Sequence, residues 1–459
     1  MVSKGFSKSR LSIFVILFSV FIYIWTIFNI SNWDKNKVII HDIISYYSYL
    51  PATFIYHDLS FEFTDELPHE VKSKIWYLTA PNGSRVQKMS MGLSILYSPF
   101  FLIAHQTAKI FGTPATGYSW IYNMFLVFSS LFYFFSGLIF LRKILLRLFD
   151  DKTTALTLFI LAFGTNLLFY VTNESPMSHS YNFFLFVLMI YHTLKWHDNQ
   201  KFKTAIYIGV ISGLITIVRP SNVIILLIPL LYGIWNKETF IQKIEIVKQK
   251  WFHLLIIVAL TILIFSPQMF YWKYITGDYW YYSYGSEGFF FLKPKIFKGL
   301  FSFRKGWLLY TPIMIFALVG IPIMFRQLKS FFLPITLFFL LNIYIVFSWW
   351  CWWYGGSFGM RSLIESYAVL SIPLALFIKN IFQKRKLIKT SAIIFLLILT
   401  SLNVFQTLQY RRTIIHWDSM TKEAYFSTFG KLKFPDNYKG IIQKPDYDNA
   451  LRGIPEEIK

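Results

Sequence analysis

The stretch LSIFVILFSVFIYIWTIFNI, from Leu11 to Ile30, holds twenty consecutive residues without a charged side chain. At about 1.5 Å of rise per residue, a helix of this length crosses the roughly 30 Å hydrocarbon layer of a bilayer. Lys4, Lys8 and Arg10 precede it, as at the start of a signal peptide, but no small-residue cleavage site follows. The stretch therefore predicts an uncleaved membrane anchor with a cytoplasmic N-terminus.

The composition of the whole chain agrees with a membrane protein. Of 459 residues, 55% are apolar and 15% are charged, which is too little charge to cover a soluble domain of this size. The formal net charge of +22 does not indicate nucleic-acid binding, because Lys and Arg lie in short loops between apolar runs, where they set membrane topology. The single cysteine, Cys351, excludes an intramolecular disulfide.

Twelve apolar runs are suitable as membrane spans: 11–30, 92–111, 119–141, 153–172, 178–194, 204–218, 221–235, 252–272, 307–325, 331–350, 363–378 and 390–406. If all of them crossed, the basic loop with Arg142, Lys143 and Arg147 would face outward, against the positive-inside rule. The conflict disappears if 92–111, which contains Pro99, lies along the membrane or re-enters it. The predicted fold is an all-α integral membrane bundle of about eleven transmembrane helices, with juxtamembrane helices in the first outer loop.

This topology divides the chain into a transmembrane domain, 1–406, and an outer C-terminal tail, 407–459. The first outer loop, 31–118, is the longest connecting segment. Five of the 23 acidic residues fall in predicted cytoplasmic loops and eighteen outside, although the rule counts only Lys and Arg. We therefore expect the polar chemistry on the outer face, with the tail packed against the outer loops as a cap.

The first outer loop contains the sequence HDIISYYSYLP, from His41 to Pro51. Asp42 follows the first span by twelve positions, so its carboxylate is expected at the membrane surface. A carboxylate there can accept the proton of an attacking hydroxyl or ligate a metal ion. A helix cap or a solvated loop acid is the alternative interpretation.

Short motifs are spread over most of residues 1–410: Asp42-x-x-x-Tyr46-Tyr47, then 46–59, 88–92 leading into 99–101, 219–222 and 358–365. With the juxtamembrane helix and a second polar outer loop after the third span, they resemble the GT-C fold glycosyltransferases. This class includes oligosaccharyltransferases, protein mannosyltransferases and the lipid A aminoarabinose transferase. The resemblance implies an inverting transfer of a sugar from a polyprenyl-phosphate carrier to an acceptor on the outer face.

The resemblance also assigns roles to positions. The family's first-loop acid, a base or metal ligand, falls on Asp42, but many members have a second acid where this chain has His41. A His–Asp pair can still ligate a metal, so a divalent cation (Mg or Mn) and no cofactor at all both stay open. The family's second acidic loop falls on 173–179, where Glu174 is the second catalytic candidate and His179 a binding candidate.

Five basic residues are candidates for binding the carrier phosphate: Lys88, Arg219, Arg304, Lys305 and Arg361. Lys88 matches the position at which related enzymes present a cation. Arg219 can contact phosphate through two parallel hydrogen bonds, or extend to the lipid interface instead. Arg304 and Lys305 can bind the leaving phosphate or lipid headgroups. Arg361 lies four positions before Glu365, with which it can pair on a helix.

The first loop supplies the remaining predicted site residues: Tyr46, Tyr47, His57 and Asp58. The dipeptide His57-Asp58 repeats His41-Asp42, which is either a metal site or a chance recurrence. Two aromatic runs, 349–354 and 279–285, are either interfacial belts or stacking walls for a sugar or prenyl chain.

These features predict a membrane glycosyltransferase of the bacterial inner membrane, with its active site facing the periplasm or exterior. Its partners would be a polyprenyl-phosphate-linked sugar donor, a glycan, lipid or protein acceptor and membrane lipids, without nucleic acid. A lipid-linked sugar flippase is one rival, although it would need polar residues at mid-membrane depth and usually repeated halves. A polysaccharide polymerase or ligase and a non-catalytic scaffold are the others.

Overall fold

The computed structural model describes residues 10–454, which form a helical bundle. The first helices are α1 Arg10–Ile30, α2 His41–Tyr47, α3 Tyr49–Phe54, α4 His69–Lys72, α5 Gly92–Ile110, α6 Trp120–Leu148, α7 Asp151–Phe163, α8 Leu167–Thr172, α9 Ser178–Asn199, α10 Phe202–Val218 and α11 Leu227–Leu231. The later helices are α12 Lys237–Gln249, α13 Trp251–Thr276, α14 Ile296–Phe301, α15 Trp307–Tyr310, α16 Ile315–Gln327, α17 Lys329–Ser348, α18 Tyr367–Phe382, α19 Lys386–Arg411, α20 Lys422–Thr428, α21 Tyr438–Ile441 and α22 Tyr447–Leu451.

Shorter elements connect these helices. Four segments are 3₁₀ helices, Glu62–Glu66, Pro220–Leu226, Pro312–Met314 and Arg361–Ser366. The strands β1 Leu78–Thr79 and β2 Arg85–Val86 form an antiparallel hairpin in the first outer loop. That loop also contains α2 to α5, so it folds into helices and a hairpin.

Within residues 10–454, six helical segments are long and apolar enough to cross a membrane: Arg10–Ile30, Trp120–Leu148, Trp251–Thr276, Lys329–Ser348, Arg361–Phe382 and Lys386–Arg411. They confirm the prediction of an all-α integral membrane protein. The number of crossings stays a prediction, because several other apolar helices are shorter than a full span. In the most apolar part of Arg361–Phe382, 89% of the residues are buried inside the protein, whereas in Trp251–Thr276 the share is 17%. Helix α18 therefore lies at the centre of the bundle and α13 at its periphery.

Several runs that were predicted as continuous spans are interrupted; 307–325, for example, is divided after Tyr310 by the 3₁₀ helix Pro312–Met314. Two other runs are interrupted as well. The run 153–172 is divided into α7 and α8 around Gly164, where an added Cβ would lie 2.8 Å from the Ile160 carbonyl oxygen. The run 221–235 begins as a 3₁₀ helix at Pro220, immediately after Arg219 in an extended conformation. Proline has no N–H to donate and disfavours helix at the preceding residue, which explains the second interruption.

Side-chain contacts orient the bundle. The Leu11 amide donates to the Asp151 carboxylate at 2.9 Å, and the Tyr23 hydroxyl donates to the Ala162 carbonyl at 2.6 Å. The later residue of α1 contacts the later residue of α7, so α1 and α7 are parallel neighbours. Asp150 caps α7 by accepting the Thr153 amide proton at 2.7 Å.

Helix α5 runs alongside the first half of α6. The Tyr133 hydroxyl donates to the Leu96 carbonyl at 3.0 Å, and His105 Nδ1 lies 2.6 Å from the Tyr122 hydroxyl. These pairs make the two helices antiparallel. They place the start of α5 beside the middle of α6, where Pro99 is accommodated within the helix.

The tail folds against the outer loops. Its helices α20 to α22 follow α19, and the Ser357 amide donates to the Trp417 carbonyl at 3.1 Å. The Gln409 side chain donates to the Thr428 carbonyl at 2.8 Å, which fixes α20 to the end of α19. The described tail therefore contacts the segment that follows α17.

Gly92 allows the segment before α5 to approach the end of α10. An added Cβ would lie 2.4 Å from the Val218 nitrogen, and backbone cannot move away as a flexible side chain can. We expect Gly92→Ala to lower the free energy of unfolding by about 1–3 kcal/mol, the usual cost of overpacking. Thermal unfolding of the purified protein in detergent measures this change. Gly440→Ala is the matched control, because nothing lies within 4 Å of its added Cβ; equal melting temperatures for the two variants would contradict this interpretation.

Candidate functional site

One cavity brings together five of the residues predicted for the site. It has a volume of about 580 Å³ and is lined by residues from the first outer loop, the end of α10, the loop after α13 and the segment after α17. The predicted residues in its wall are Asp42, Tyr46, Lys88, Arg219 and Arg361. We name it the main cavity.

Asp42 lies in the first turn of α2, and Tyr46 follows one turn later on the same side of the helix. The Asp42 carboxylate is 34% exposed and pairs with the Arg361 guanidinium, at 3.4 Å. This is a long contact for an ion pair, with room for other partners. The arrangement makes Asp42 an accessible carboxylate held beside a cation.

A second group of charged and titratable side chains surrounds a carboxylate that is more buried than that of Asp42. Glu365, which is 3% exposed, accepts a hydrogen bond from Arg219 at 3.1 Å, and the buried His179 has Nδ1 at 3.1 Å from the same oxygen. The expectation that Arg361 pairs with Glu365 is wrong. Both lie in the 3₁₀ helix Arg361–Ser366, where three residues make a turn, so side chains four positions apart point in different directions.

Lys88 forms the third charged pair, with Glu287. The other Glu287 oxygen accepts a hydrogen bond from the Trp350 indole at 3.1 Å, and the Lys88 ammonium lies 5.0 Å from the centre of the Tyr284 ring. Glu287 was not among the residues predicted for the site from the sequence. The sequence did contain an indication of it, because Glu287 is the only acidic residue in the aromatic and basic stretch 279–306.

Glu174 lies close to this group but outside the cavity lining. Loss of contact with water raises the pKa of the Glu174 carboxyl to about 7, while the positive charge of Arg361 opposes the rise. Asp42 and Lys305 also act on it through their charges. The charges of the two predicted catalytic acids, Asp42 and Glu174, therefore both act on the Arg361 guanidinium.

Arg304 and Lys305 are buried away from the cavity wall. The Lys305 ammonium donates to the Ser357 and Trp417 carbonyls, and burial lowers its pKa to about 7. Arg304 donates to the Gln443 carbonyl at 3.3 Å. Both side chains thus connect the loop before α15 to the tail, and their predicted contact with phosphate stays a prediction.

The remaining predicted residues lie outside the cavity lining. Asp58 accepts the Phe63 amide proton at 2.9 Å and the Ser60 hydroxyl proton at 2.5 Å, as an acid that stabilises a turn does. His57 is exposed, and the Tyr47 hydroxyl donates to the Gly117 carbonyl. The repeated His–Asp dipeptides therefore do not meet in the cavity.

A metal site is not assembled from these groups. Among residues 10–454, the structure has no cluster of three or more His, Cys, Asp or Glu side chains that could hold an ion. His41 is exposed, and its carbonyl accepts the Trp76 indole proton at 2.9 Å. Only Asp42 of the two predicted ligands lines the cavity, so a divalent cation stays a prediction from the resemblance.

Part of the cavity wall is aromatic and apolar. Its wall there contains Phe289, Phe291, Ile345, Val346 and Trp349. Phe289 and Phe291 are 40% and 45% exposed and stack on each other with ring centres 5.3 Å apart. Each of the two predicted aromatic runs contributes to the lining, while Trp353 is buried beneath Arg304. The cavity thus contains both basic side chains and a surface suited to an apolar chain.

No family model and no curated protein matches the sequence. Among solved structures, the apo form of an Archaeoglobus fulgidus oligosaccharyltransferase matches with a TM-score of 0.50 and 14% identity. The fold of this chain is similar to that of this oligosaccharyltransferase. The alignment covers 98% of this chain but 64% of that enzyme, so the chain spans less than two thirds of its length.

The same archaeal enzyme in complex with zinc and sulfate also matches, with a TM-score of 0.45 and 14% identity over 94% of this chain and 59% of the other. The match to the apo structure supports the predicted helical membrane fold at the level of overall architecture. The more specific relatives named by the sequence resemblance are not distinguished at this identity.

Removing the Glu365 charge leaves Arg219 without its partner in a largely enclosed position. We expect Glu365→Gln to lower the free energy of unfolding by about 2 kcal/mol, because a guanidinium that loses a buried carboxylate keeps its desolvation cost. Thermal unfolding in detergent measures the loss. Glu423→Gln, at an exposed position of α20, is the matched control and should change little; two variants with the same melting temperature would show that the pair does not stabilise the fold.

Proposed function

We propose that this protein is a membrane glycosyltransferase that moves a sugar from a polyprenyl-phosphate-linked donor to an acceptor on the outer face. The observation that supports this most is the position of the Asp42 carboxylate. It lies in a cavity that also contains three basic side chains, Lys88, Arg219 and Arg361, and an apolar wall. The fold, which resembles that of an oligosaccharyltransferase, agrees with this proposal.

The two kinds of wall suit the two parts of a lipid-linked donor. The prenyl chain would lie along Phe289, Phe291, Ile345 and Val346, next to the end of α17. The phosphate would be held by Arg219 or Arg361, whose planar guanidinium groups match phosphate oxygens. The donor would therefore reach the cavity from the membrane, and its sugar would be placed near Asp42.

In the proposed step, the acceptor hydroxyl oxygen attacks the anomeric carbon of the sugar. Asp42 accepts the hydroxyl proton as the new carbon–oxygen bond forms. The bond between the anomeric carbon and the phosphate oxygen breaks, and the phosphate keeps the electron pair. A single displacement of this kind inverts the anomeric centre. The basic side chains stabilise the charge on the leaving phosphate.

Binding of the donor would also free the Asp42 carboxylate from its pair with Arg361. Its contact with Arg361 is 3.4 Å long, and a phosphate that takes Arg361 as its partner would release the carboxylate. In this proposed step the Asp42 carboxylate acts directly as the base.

Replacement of Asp42 tests the proposed base. We expect Asp42→Asn to lower sugar transfer by at least about a hundredfold, because the amide cannot accept the hydroxyl proton. Release of radiolabel from a panel of polyprenyl-phosphate sugars by purified protein, with and without chelator, measures it. Asp34→Asn, an exposed acid of the same loop, is the matched control and should retain activity.

The other outcomes are equally informative. Transfer at the wild-type rate by Asp42→Asn would refute the assignment of the base, and Glu174 would be the next candidate. Transfer with none of the donors would contradict the proposed activity and favour the flippase or the scaffold.

We further propose eleven membrane crossings in the bacterial inner membrane, with the cavity outside. The crossings would be formed by α1, α6, α7 with α8, α9, α10, the segment 220–231, α13, the segment 307–327, α17, the segment 361–382 and α19. Helix α5 would remain on the outer side. Its contacts with Tyr122 and Tyr133 extend only over the first half of α6, which supports this placement.

Single cysteines in a Cys351→Ser background test this topology. We expect Phe111→Cys, at a position 74% exposed after α5, to react with a membrane-impermeant maleimide added from outside. Lys152→Cys, an exposed residue of α7, should react only after the membrane is permeabilised. The reverse pattern would show that the first helices cross differently from the proposal.

A further inference from the structure

A second, smaller cavity opens from the main one. We name it the side cavity; its volume is about 160 Å³. Tyr46, Lys88, Arg219 and Tyr284 line both cavities, so these side chains stand at their junction. The side cavity extends from there toward α13, away from Asp42, which belongs to the lining of the main cavity only.

Gln87 lies in the wall of the side cavity and has no explained role. Its side chain is 1% exposed, and neither its amide nitrogen nor its amide oxygen has a hydrogen-bond partner within residues 10–454. Only its backbone is bound, since the Gln87 N–H donates to the Tyr271 hydroxyl at 3.3 Å. An unsatisfied buried amide costs stability, and such groups are rare in folded proteins.

The wall of the side cavity also contains aromatic rings and a second amide. Trp272 is 7% exposed and Trp280 65% exposed, with ring centres 5.5 Å apart. Gln268 is 1% exposed, and its amide oxygen accepts the Met91 amide proton at 2.8 Å. The side cavity therefore combines ring faces with amides near the junction where a phosphate would bind.

The chemistry of the free amide restricts the ligand. A side-chain amide offers donors and an acceptor together, and a hydroxyl group satisfies both kinds of atom because it donates and accepts. A prenyl chain would satisfy neither. A phosphate would use only the donors and leave the amide oxygen unpaired. Aromatic faces complement the apolar face of a ring that carries its hydroxyls at the edge.

We propose that the side cavity is a carbohydrate subsite, in which Gln87 binds the hydroxyl groups of a neutral sugar ring. This inference deepens the proposed glycosyl transfer and rests on it for the source of the ring, which is either the donor or the acceptor. The Gln87 amide atoms are covered by protein in this structure, and the proposal requires the side chain to turn about its own bonds to meet the ligand.

Sugar binding is measured by the fluorescence of the tryptophans in the full-length protein in detergent, because Trp272 and Trp280 line the side cavity. The probes are free hexoses and N-acetylhexosamines. We expect a saturable change in the wild type and a dissociation constant about tenfold higher in Gln87→Met, which keeps the length of the side chain but removes both polar atoms. Loss of an unpaired amide should not unfold the protein, and its melting temperature verifies this.

Two controls separate this inference from the proposed activity. Gln327→Met, at an exposed glutamine that pairs with Asn380, should bind sugar as the wild type does. Asp42→Asn should also bind normally, even where transfer is lost or was never present. Folded wild type without a response to any sugar would overturn the inference, and so would unchanged binding by Gln87→Met.

Kinetics then distinguish the two sources of the ring. A KM raised by Gln87→Met for the lipid-linked donor alone assigns the side cavity to the donor. A KM raised for the acceptor alone assigns it to the acceptor, and unchanged values for both would again overturn the proposal.

Discussion

The ion pairs of one short 3₁₀ helix, Arg361–Ser366, position the whole candidate site. Arg361 pairs with Asp42, 319 positions earlier in the chain, and Glu365 accepts a hydrogen bond from Arg219, 146 positions earlier. Glu365 also lies beside His179 at the start of α9. The first outer loop, α9 and the end of α10 thus depend on one element for their relative positions. Pairs that are enclosed in protein require good geometry, because each charge has lost its water.

The charges of the main cavity are balanced by ion pairs. Each of the three basic side chains in the main cavity has a carboxylate partner, since Lys88 pairs with Glu287 as Arg219 and Arg361 do with their acids. The cavity is therefore close to neutral before an anion binds. An anionic ligand exchanges partners with a carboxylate that is already present, and the pair with the longest contact, Asp42–Arg361, is the easiest to exchange.

The sequence was sufficient for the coarse features and insufficient for those that depend on distant contacts. Charge-free runs predicted the membrane helices, and the motif beginning at Asp42 predicted two residues of the cavity, Asp42 and Tyr46, because both signals are local. Helix periodicity paired Arg361 with Glu365, but the tighter 3₁₀ turn separates them. Position near a span suggested phosphate contact for Arg304 and Lys305, whereas the tail covers both. Glu287 and Gln87 were missed because their neighbours in space come from other parts of the chain.

The separation between Asp42 and Arg361 has a consequence for biogenesis. A ribosome that adds about 5–20 residues per second needs on the order of half a minute to make the 319 positions between them. During that interval the first outer loop exists without its guanidinium partner. The loop must therefore wait in a partly assembled form, and a nascent chain that stops before Arg361 contains most of the spans but no complete site.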